Sequence, residues 1–125
     1  DESHEMDAAR CVAGDEALVR QVDADPQRGV LRLWEVADPA VIVGRSNDIA
    51  REVDVAACER DGVPILRRAS GGGAVVLGTG CLCYALAMPI DERHRQLGVT
   101  AITADIMRRL AAALSTPELA VTVQG

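Results

Sequence analysis

The chain of 125 residues contains no lysine, because all 13 of its basic side chains are arginines. It also lacks phenylalanine, and its aromatic residues are Trp34 and Tyr84. So few aromatic side chains exclude the stacking platforms on which single-stranded nucleic acid binds. A net charge of −6 argues against nucleic-acid binding more generally. The absence of lysine also excludes a P-loop, since that motif requires a Gly-Lys-Ser/Thr sequence.

Long hydrophobic runs are missing as well. The longest, around Cys81–Met88, has the length of a strand and not of a membrane-spanning helix. The first residues lack the basic region and apolar stretch of a signal peptide, so the sequence predicts a cytoplasmic protein with reduced cysteines and no membrane association. The histidines His4 and His94 lie far apart without ligand spacing, and no metal site is predicted.

The hydrophobic periodicity predicts helices that alternate with short strands. The first helix is expected at Met6–Val22, with Gly14 as a weak point, and Asp54 is expected to cap a short helix. The predicted strands are Val30–Glu35, Ala40–Val43, Pro64–Arg68, Ala74–Leu77, Cys81–Met88 and Leu119–Val123; the predicted later helices are Val55–Arg60 and Thr100–Ser115.

Two of these strands, Ala74–Leu77 and Cys81–Met88, are expected to form a hairpin across Gly78-Thr79-Gly80. Ala40–Val43 is apolar throughout, which predicts burial on both faces. Hairpins mixed with crossover helices predict an α+β domain with a mixed, largely antiparallel sheet and packed helices.

Three consecutive glycines, Gly71–Gly73, follow the strand that ends at Arg68. Such a run suits a backbone that adopts positive φ or approaches a ligand closely. Successive N–H groups there could hold a phosphate or a carboxylate, and Ser70 adds a hydroxyl donor. Arg67 and Arg68 should point to opposite faces, so one can bind the ligand while the other is structural. A plain tight turn with a solvated arginine pair is the alternative.

The run from Arg67 to Val75 resembles the R-R-x-S-G-G-G-A-V signature of lipoate–protein ligase A. The flanking segments resemble the same family in order and spacing. These segments are Ala13-x-Asp15-Glu16-Ala17-Leu18, Leu31-x-Leu33-Trp34, Ala40-Val41-Ile42-Val43-Gly44-Arg45, Asn47 and Glu52-Val53-Asp54. The resemblance spans most of residues 6–88.

This resemblance implies the fold shared by biotin and lipoate ligases and related to class II aminoacyl-tRNA synthetases, with residues 1–125 forming its N-terminal half. An incomplete domain of this kind is expected to show an apolar patch or an unpaired strand edge. The implied acyl pocket contains Trp34, Gly44 and Arg45. The implied ligand- and nucleotide-binding residues are Arg68, Ser70, Gly71, Gly72, Gly73, Ala74, Val75 and Val76.

The implied activity uses ATP with Mg²⁺ to activate lipoate or octanoate as an acyl-adenylate. The acyl group is then transferred to a lysine of a lipoyl carrier domain, of the 2-oxoacid dehydrogenase E2 type or the glycine cleavage H type. The family's catalytic lysine falls beyond Gln124-Gly125, so no catalytic residue is assigned within the chain.

The chain also departs from the family after Val75. Val76, Leu77-Gly78 and Gly80-Cys81 stand where the family has an aromatic residue, a His-Asp pair and a Gly-Asn pair. Two alternatives therefore remain open. One is an ATP-independent lipoyl or octanoyl transferase of the same fold, with no bound cofactor. The other is a non-catalytic binding module or one chain of a split enzyme.

Overall fold

The computed structural model describes residues 7–123, and His4, Met6 and Gln124-Gly125 lie outside that range. The chain divides into two compact units, Asp1–Pro89 and Ile90–Gly125. The first contains α1 (Ala8–Ala24), β1 (Val30–Trp34), β2 (Ala40–Val43), α2 (Ile49–Glu52), α3 (Val55–Asp61), β3 (Ile65–Arg67), β4 (Val75–Leu77) and β5 (Cys83–Ala87). The second contains α4 (Glu92–Leu114).

The first helix begins at a side-chain cap. Asp7 precedes α1, and its Oδ1 accepts a hydrogen bond from the Ala9 N–H at 3.0 Å. Such a cap satisfies a backbone donor that has no partner within the helix. The helix continues two residues beyond the predicted end at Val22, and its buried side chains are Ala8, Cys11, Leu18 and Val22.

Five strands form two small sheets. β1 and β5 pair antiparallel, while β2 lies between β3, which is parallel to it, and β4, which is antiparallel. The parallel pair needs a crossover, and α2 and α3 supply it. The predicted α+β class with mixed pairing is confirmed. All four residues of β2 are buried, as predicted, and the core cluster contains Ala40, Ile42, Cys11, Trp34 and Val36.

The predicted hairpin of β4 and β5 is wrong, because β4 pairs with β2 and β5 pairs with β1. The connection 78–82 lies beside the connection between β1 and β2, and the Thr79 hydroxyl donates to the Ala37 carbonyl at 2.8 Å. Residues 35–39 and residues 78–82 therefore run side by side from one sheet to the other. The result is a single antiparallel ribbon, β1–β2 against β4–β5, that is interrupted at its middle.

The short helix α3 confirms the predicted cap. The Asp54 carboxylate accepts from the Ala57 N–H at 2.9 Å. Gly62 ends the helix in the left-handed conformation, with φ 67° and ψ 24°, and its N–H reaches the Glu59 carbonyl. Glycine occupies this conformation without the steric cost of a Cβ atom.

The second unit differs from the sequence prediction at both ends. Its helix begins at Glu92, well before the predicted Thr100, because the Asp91 carboxylate caps the His94 N–H at 2.8 Å. Gly98, with φ 75°, interrupts the helical backbone. The predicted strand Leu119–Val123 is wrong. This segment folds back locally, and the Val121 N–H donates to the Ser115 hydroxyl at 3.0 Å.

The β1–β5 sheet carries an exposed apolar face. Leu31 stands opposite Leu86 and Leu33 opposite Tyr84, and the two β1 leucines are 53% and 58% exposed. Within residues 7–123, β1 and β5 pair only with each other, so each retains one open edge. The expected apolar patch and open strand edge are both present. No helix in this range is long and apolar enough to cross a lipid bilayer.

Candidate functional site

The glycine loop, residues 68–74, folds around the side chain of Arg68. Nη2 of Arg68 donates to the carbonyls of Gly71 and Gly73 at 2.8 and 2.9 Å, and Nε also donates to Gly71. Nη1 donates to the Ile42 carbonyl in β2 at 3.3 Å. Gly72 lies between these carbonyls with φ 98°, and a Cβ there would come within 2.8 Å of Nη2. Glycine at this position thus allows the loop to close on the guanidinium.

The same loop leaves backbone donors available. Across residues 7–123, the N–H groups of Gly71, Gly72 and Gly73 donate to no protein acceptor, and all three residues are exposed. Their carbonyls, in contrast, are bonded to Arg68 at two of the three positions. A loop with bonded carbonyls and open N–H groups, close to a cation, suits an anionic ligand.

Arg67 makes different hydrogen bonds from those of Arg68. Its Nη1 donates to the carbonyls of Gly44, Arg45 and Asn47 at 2.7, 3.1 and 3.0 Å. These carbonyls belong to the turn that follows β2. Arg67 therefore holds this turn, whereas Arg68 holds the glycine loop.

The turn and the loop are in direct contact at Gly44. A Cβ on Gly44 would lie 2.1 Å from the Gly72 carbonyl oxygen, so only glycine permits the approach. Next to it, the Arg45 N–H donates to the Ser70 carbonyl at 2.9 Å. Gly44 and Arg45 thus contact the glycine loop at the carbonyls of Gly72 and Ser70.

A cavity of about 690 Å³ lies between α1, β5 and the beginning of the glycine loop. Ligand pockets of small molecules commonly measure about 300–1,000 Å³. Of the predicted site residues, the cavity is lined by Trp34, Arg68, Ser70 and Val75. The remaining predicted residues are outside the lining: Gly44, Arg45, Gly71, Gly72, Gly73, Ala74 and Val76. The rest of the lining is mainly apolar and includes Val12, Leu18, Val19, Leu77, Leu82 and residues 83–87.

Trp34 is held in the cavity wall by a polar network that the sequence analysis did not identify. Its Nε1 donates to Asp15 Oδ2 at 3.1 Å, and Arg32 Nη1 donates to Asp15 Oδ1 at 2.5 Å and to the Cys11 carbonyl at 2.8 Å. A Cβ on Gly14 would lie 3.1 Å from the Arg32 guanidinium carbon. Gly14 therefore makes room for Arg32. The alternation of β1, which places Arg32 and Trp34 on one face, was the available signal.

Cys83 lines the cavity as a protonated thiol. Burial, followed by the nearby Cys81 and Asp15, raises the pKa of Cys83 above its ordinary value of 9.0. A raised pKa disfavours the thiolate, which is the nucleophilic form. Among residues 7–123, no group of three or more His, Cys, Asp or Glu side chains could hold a metal ion.

These features can be compared with known proteins. A sequence model of the lipoyl protein ligase A/B catalytic domain matches residues 7–124. The chain belongs to this family. Among its relatives, an inferred lipoate-protein ligase A of Aeropyrum pernix is 35% identical over 103 residues, which are 79% of this chain and 38% of the relative. The chain therefore spans about two fifths of that protein's length.

Solved structures agree with the fold. A bi-partite lipoate protein ligase from Thermoplasma acidophilum, studied with its E2 lipoyl domain, has a TM-score of 0.68 and 25% identity over 88% of this chain and 40% of that one. A lipoate-protein ligase A bound with ATP has a TM-score of 0.59 and 27% identity, covering 71% and 36% of the two chains. A lipoate protein ligase from T. acidophilum with bound lipoic acid has a TM-score of 0.66 and 24% identity, covering 87% and 41%. These similarities place the chain in the biotin and lipoate ligase fold.

Proposed function

We propose that this chain is the ligand-binding part of a lipoate–protein ligase, equivalent to the N-terminal half of the catalytic domain. In this proposal, it binds lipoyl- or octanoyl-adenylate, and the complete enzyme transfers the acyl group to a lysine of a lipoyl carrier domain. The observation that carries the proposal is a cavity with an apolar wall at Trp34 and β5 that is also lined by Arg68 and Ser70, where the glycine loop begins.

The apolar lining suits an acyl chain. Leu18, Val19 and Leu82 lie around the cavity with Trp34, and burial of hydrocarbon against them would supply about 25 cal/mol for each Å² removed from water. The Trp34 indole cannot rotate freely, because Asp15 accepts its N–H. A fixed wall of this kind would position the acyl chain rather than merely accommodate it.

The glycine loop suits the charged part of an acyl-adenylate. The open N–H groups of Gly71–Gly73 can donate to phosphate or carboxylate oxygens, and the Arg68 guanidinium lowers the cost of bringing negative charge there. ATP would be consumed in forming the adenylate, with release of pyrophosphate, and Mg²⁺ would assist as the counter-ion of the phosphates. The loop's contribution is to hold reacting groups in place and to neutralise charge, since its polar side chains are the Arg68 guanidinium and the Ser70 hydroxyl.

Transfer to the carrier requires residues that this chain does not contain. With no lysine in residues 1–125, the family's catalytic lysine would be supplied by a part of the complete enzyme outside these residues. The bi-partite ligase from Thermoplasma acidophilum supports both a divided catalytic unit and an E2-type lipoyl domain as the carrier. A glycine cleavage H-type carrier is a second possible acceptor.

Binding of a hydrolysis-resistant lipoyl-adenylate analogue tests the proposal directly. Trp34 is the single tryptophan and lines the cavity, so its fluorescence should change on saturation with the analogue. Calorimetry should give the same dissociation constant. Adenosine monophosphate without the acyl group serves as the control and should bind more weakly. Equal affinity for the two, or no binding of either, would contradict an acyl-adenylate site.

An ATP-independent transferase is the second candidate, favoured by Val76 and Leu77-Gly78 in place of the family's aromatic residue and His-Asp pair. The complete catalytic unit should be supplied with lipoate and ATP, and separately with an octanoylated carrier and a fresh carrier. A ligase releases pyrophosphate in the first reaction. Acyl transfer in the second, with no pyrophosphate in the first, would assign the transferase instead.

A further inference from the structure

Asn47 and Glu52 join the turn after β2 to the end of the glycine loop. The Gly44 N–H donates to Asn47 Oδ1, and Asn47 Nδ2 donates to Glu52 Oε1 at 2.5 Å. The other Glu52 oxygen, Oε2, accepts the Ala74 N–H at 3.2 Å. Three hydrogen bonds therefore run in series from the backbone of Gly44 to the backbone of Ala74.

This series holds the Gly73–Ala74 peptide group through its N–H, while Arg68 holds the same peptide group through its carbonyl. Arg68 bonds the carbonyls of Gly71 and Gly73, whereas Glu52 bonds the N–H of the next residue, Ala74. The Ala74 N–H is thereby removed from the donors that a ligand could use. The open donors are then limited to Gly71–Gly73, and their orientation depends on both ends of the loop.

Because Glu52 is negatively charged, its direct electrostatic effect on anion binding is unfavourable. A carboxylate beside an anion-binding loop repels an incoming phosphate. Glu52 is also exposed, and hydrogen bonds of exposed groups contribute little to global stability. The benefit of this arrangement must therefore lie in the geometry that it imposes on the loop.

We propose that Asn47 and Glu52 are positioning residues that set the glycine loop for the phosphate group of the acyl-adenylate. The inference rests on the proposed function for its ligand. Neither residue lines the cavity, so neither needs to touch the ligand. Their effect passes through the N–H groups of the loop.

A reciprocal exchange of the two side chains tests the series. Asn47→Asp places two carboxylates against each other. Glu52→Gln leaves one hydrogen bond unmade whichever way the new amide is turned. Together, the two changes restore all three bonds: the carboxylate at position 47 accepts from Gly44 and from the new amide nitrogen, while the new amide oxygen accepts from Ala74.

Each single variant should bind the lipoyl-adenylate analogue about tenfold more weakly, as expected for the loss of one hydrogen bond to a charged group. The double variant should return to within about twofold of wild type. Glu59→Gln is the matched control, because Glu59 is also exposed and makes no hydrogen bond through its side chain within residues 7–123. It should bind as wild type does.

Two further readouts separate positioning from a general structural role. Lipoamide has no anionic group, so its affinity should be unchanged in the single variants. Hydrogen exchange at the Ala74 N–H, which donates to Glu52 in the wild type, should accelerate in the single variants and recover in the double variant. Equal losses for lipoamide and the analogue, or no recovery in the double variant, would overturn the inference.

Failure of the proposed function would look different. If wild-type protein does not bind the analogue, the ligand assignment is wrong. The hydrogen-exchange comparison still decides whether Asn47 and Glu52 order the loop, because it needs no ligand. Unchanged exchange in the single variants would then reject the positioning role independently.

Discussion

Substitution of Gly44 by alanine is the most direct test of how the turn and the glycine loop fit together. The new methyl group would lie 2.1 Å from the Gly72 carbonyl oxygen and 2.6 Å from Asn47 Oδ1. Ordinary contacts of a Cβ atom begin near 3.4 Å. The loop would have to withdraw by roughly 1 Å, since Gly44 itself is buried directly after β2.

The cost can be estimated from what that movement disrupts. Overpacking of a buried position costs about 1–3 kcal/mol. The hydrogen bond between the Arg45 N–H and the Ser70 carbonyl would lengthen, at about 1 kcal/mol. We expect the free energy of unfolding to fall by about 2–3 kcal/mol in total, because the loop can relieve part of the overlap by moving. Affinity for the acyl-adenylate analogue should fall by at least about tenfold.

Urea unfolding and calorimetric titration of Gly44→Ala would measure both effects. Gly73→Ala is the matched control, since a Cβ there meets nothing within 4 Å and its φ is not positive. That control should unfold within about 0.5 kcal/mol of wild type. If Gly44→Ala unfolds and binds like the control, then the close approach of the turn to the loop does not govern the site.

Three other substitutions address separate parts of the site. Asp15→Ala removes the acceptor of the Trp34 N–H and should shift the tryptophan emission while lowering analogue affinity; an unchanged spectrum would show that the Asp15 bond does not fix the indole. Arg68→Ala should weaken analogue binding by about 1.5–3 kcal/mol, and unchanged affinity in calorimetry would remove Arg68 from the site. Because burial raises the pKa of Cys83 above 9.0, the unfolded chain releases that proton at lower pH than the folded chain, so stability should fall as the pH rises past that value. Cys83→Ser should reduce this fall in urea titrations, and an identical pH dependence in the variant would contradict the assignment.

Local signals in the sequence predicted most of the elements. Asp54 and Gly62 mark the two ends of α3 through chemistry that is nearly independent of the rest of the fold. The run Ala40–Val43 predicted a buried strand because all four residues are apolar. The part of α4 that follows Gly98 agrees with the predicted helix Thr100–Ser115, whereas the part before Gly98, which Asp91 caps, was not predicted.

Strand pairing could not be predicted from local signals in the sequence. The sequence around Gly78-Thr79-Gly80 is compatible with a hairpin, but β4 pairs with β2 and β5 pairs with β1, and the strands therefore belong to different sheets. Residues 119–123 have the composition of a strand but no neighbouring strand among residues 7–123. Instead, the Val121 N–H donates to the Ser115 hydroxyl. In the first case partners distant in the sequence override local preference, whereas in the second the segment has no strand partner and makes a local contact instead.

For the candidate site, the resemblance pointed to the glycine loop and to Trp34 but did not predict which side chains bond to them. Asp15 and Arg32 meet across 17 residues, and Glu52 meets Ala74 across 22. Neither separation has a sequence signature. Gly14 was interpreted as a weakness in α1, although its lack of a side chain admits the Arg32 guanidinium.

The interrupted ribbon also has a consequence for how the chain folds. Pairing β2 with β4 brings together residues 40 and 77, which closes a long loop at a substantial entropic cost. Once that ladder exists, β1 and β5 are separated from it only by the short connections 35–39 and 78–82. The β1–β5 ladder can then form rapidly, after the slow closure of the loop between β2 and β4. Substitutions that weaken β2–β4 pairing should therefore slow folding, whereas those in β1–β5 should mainly accelerate unfolding.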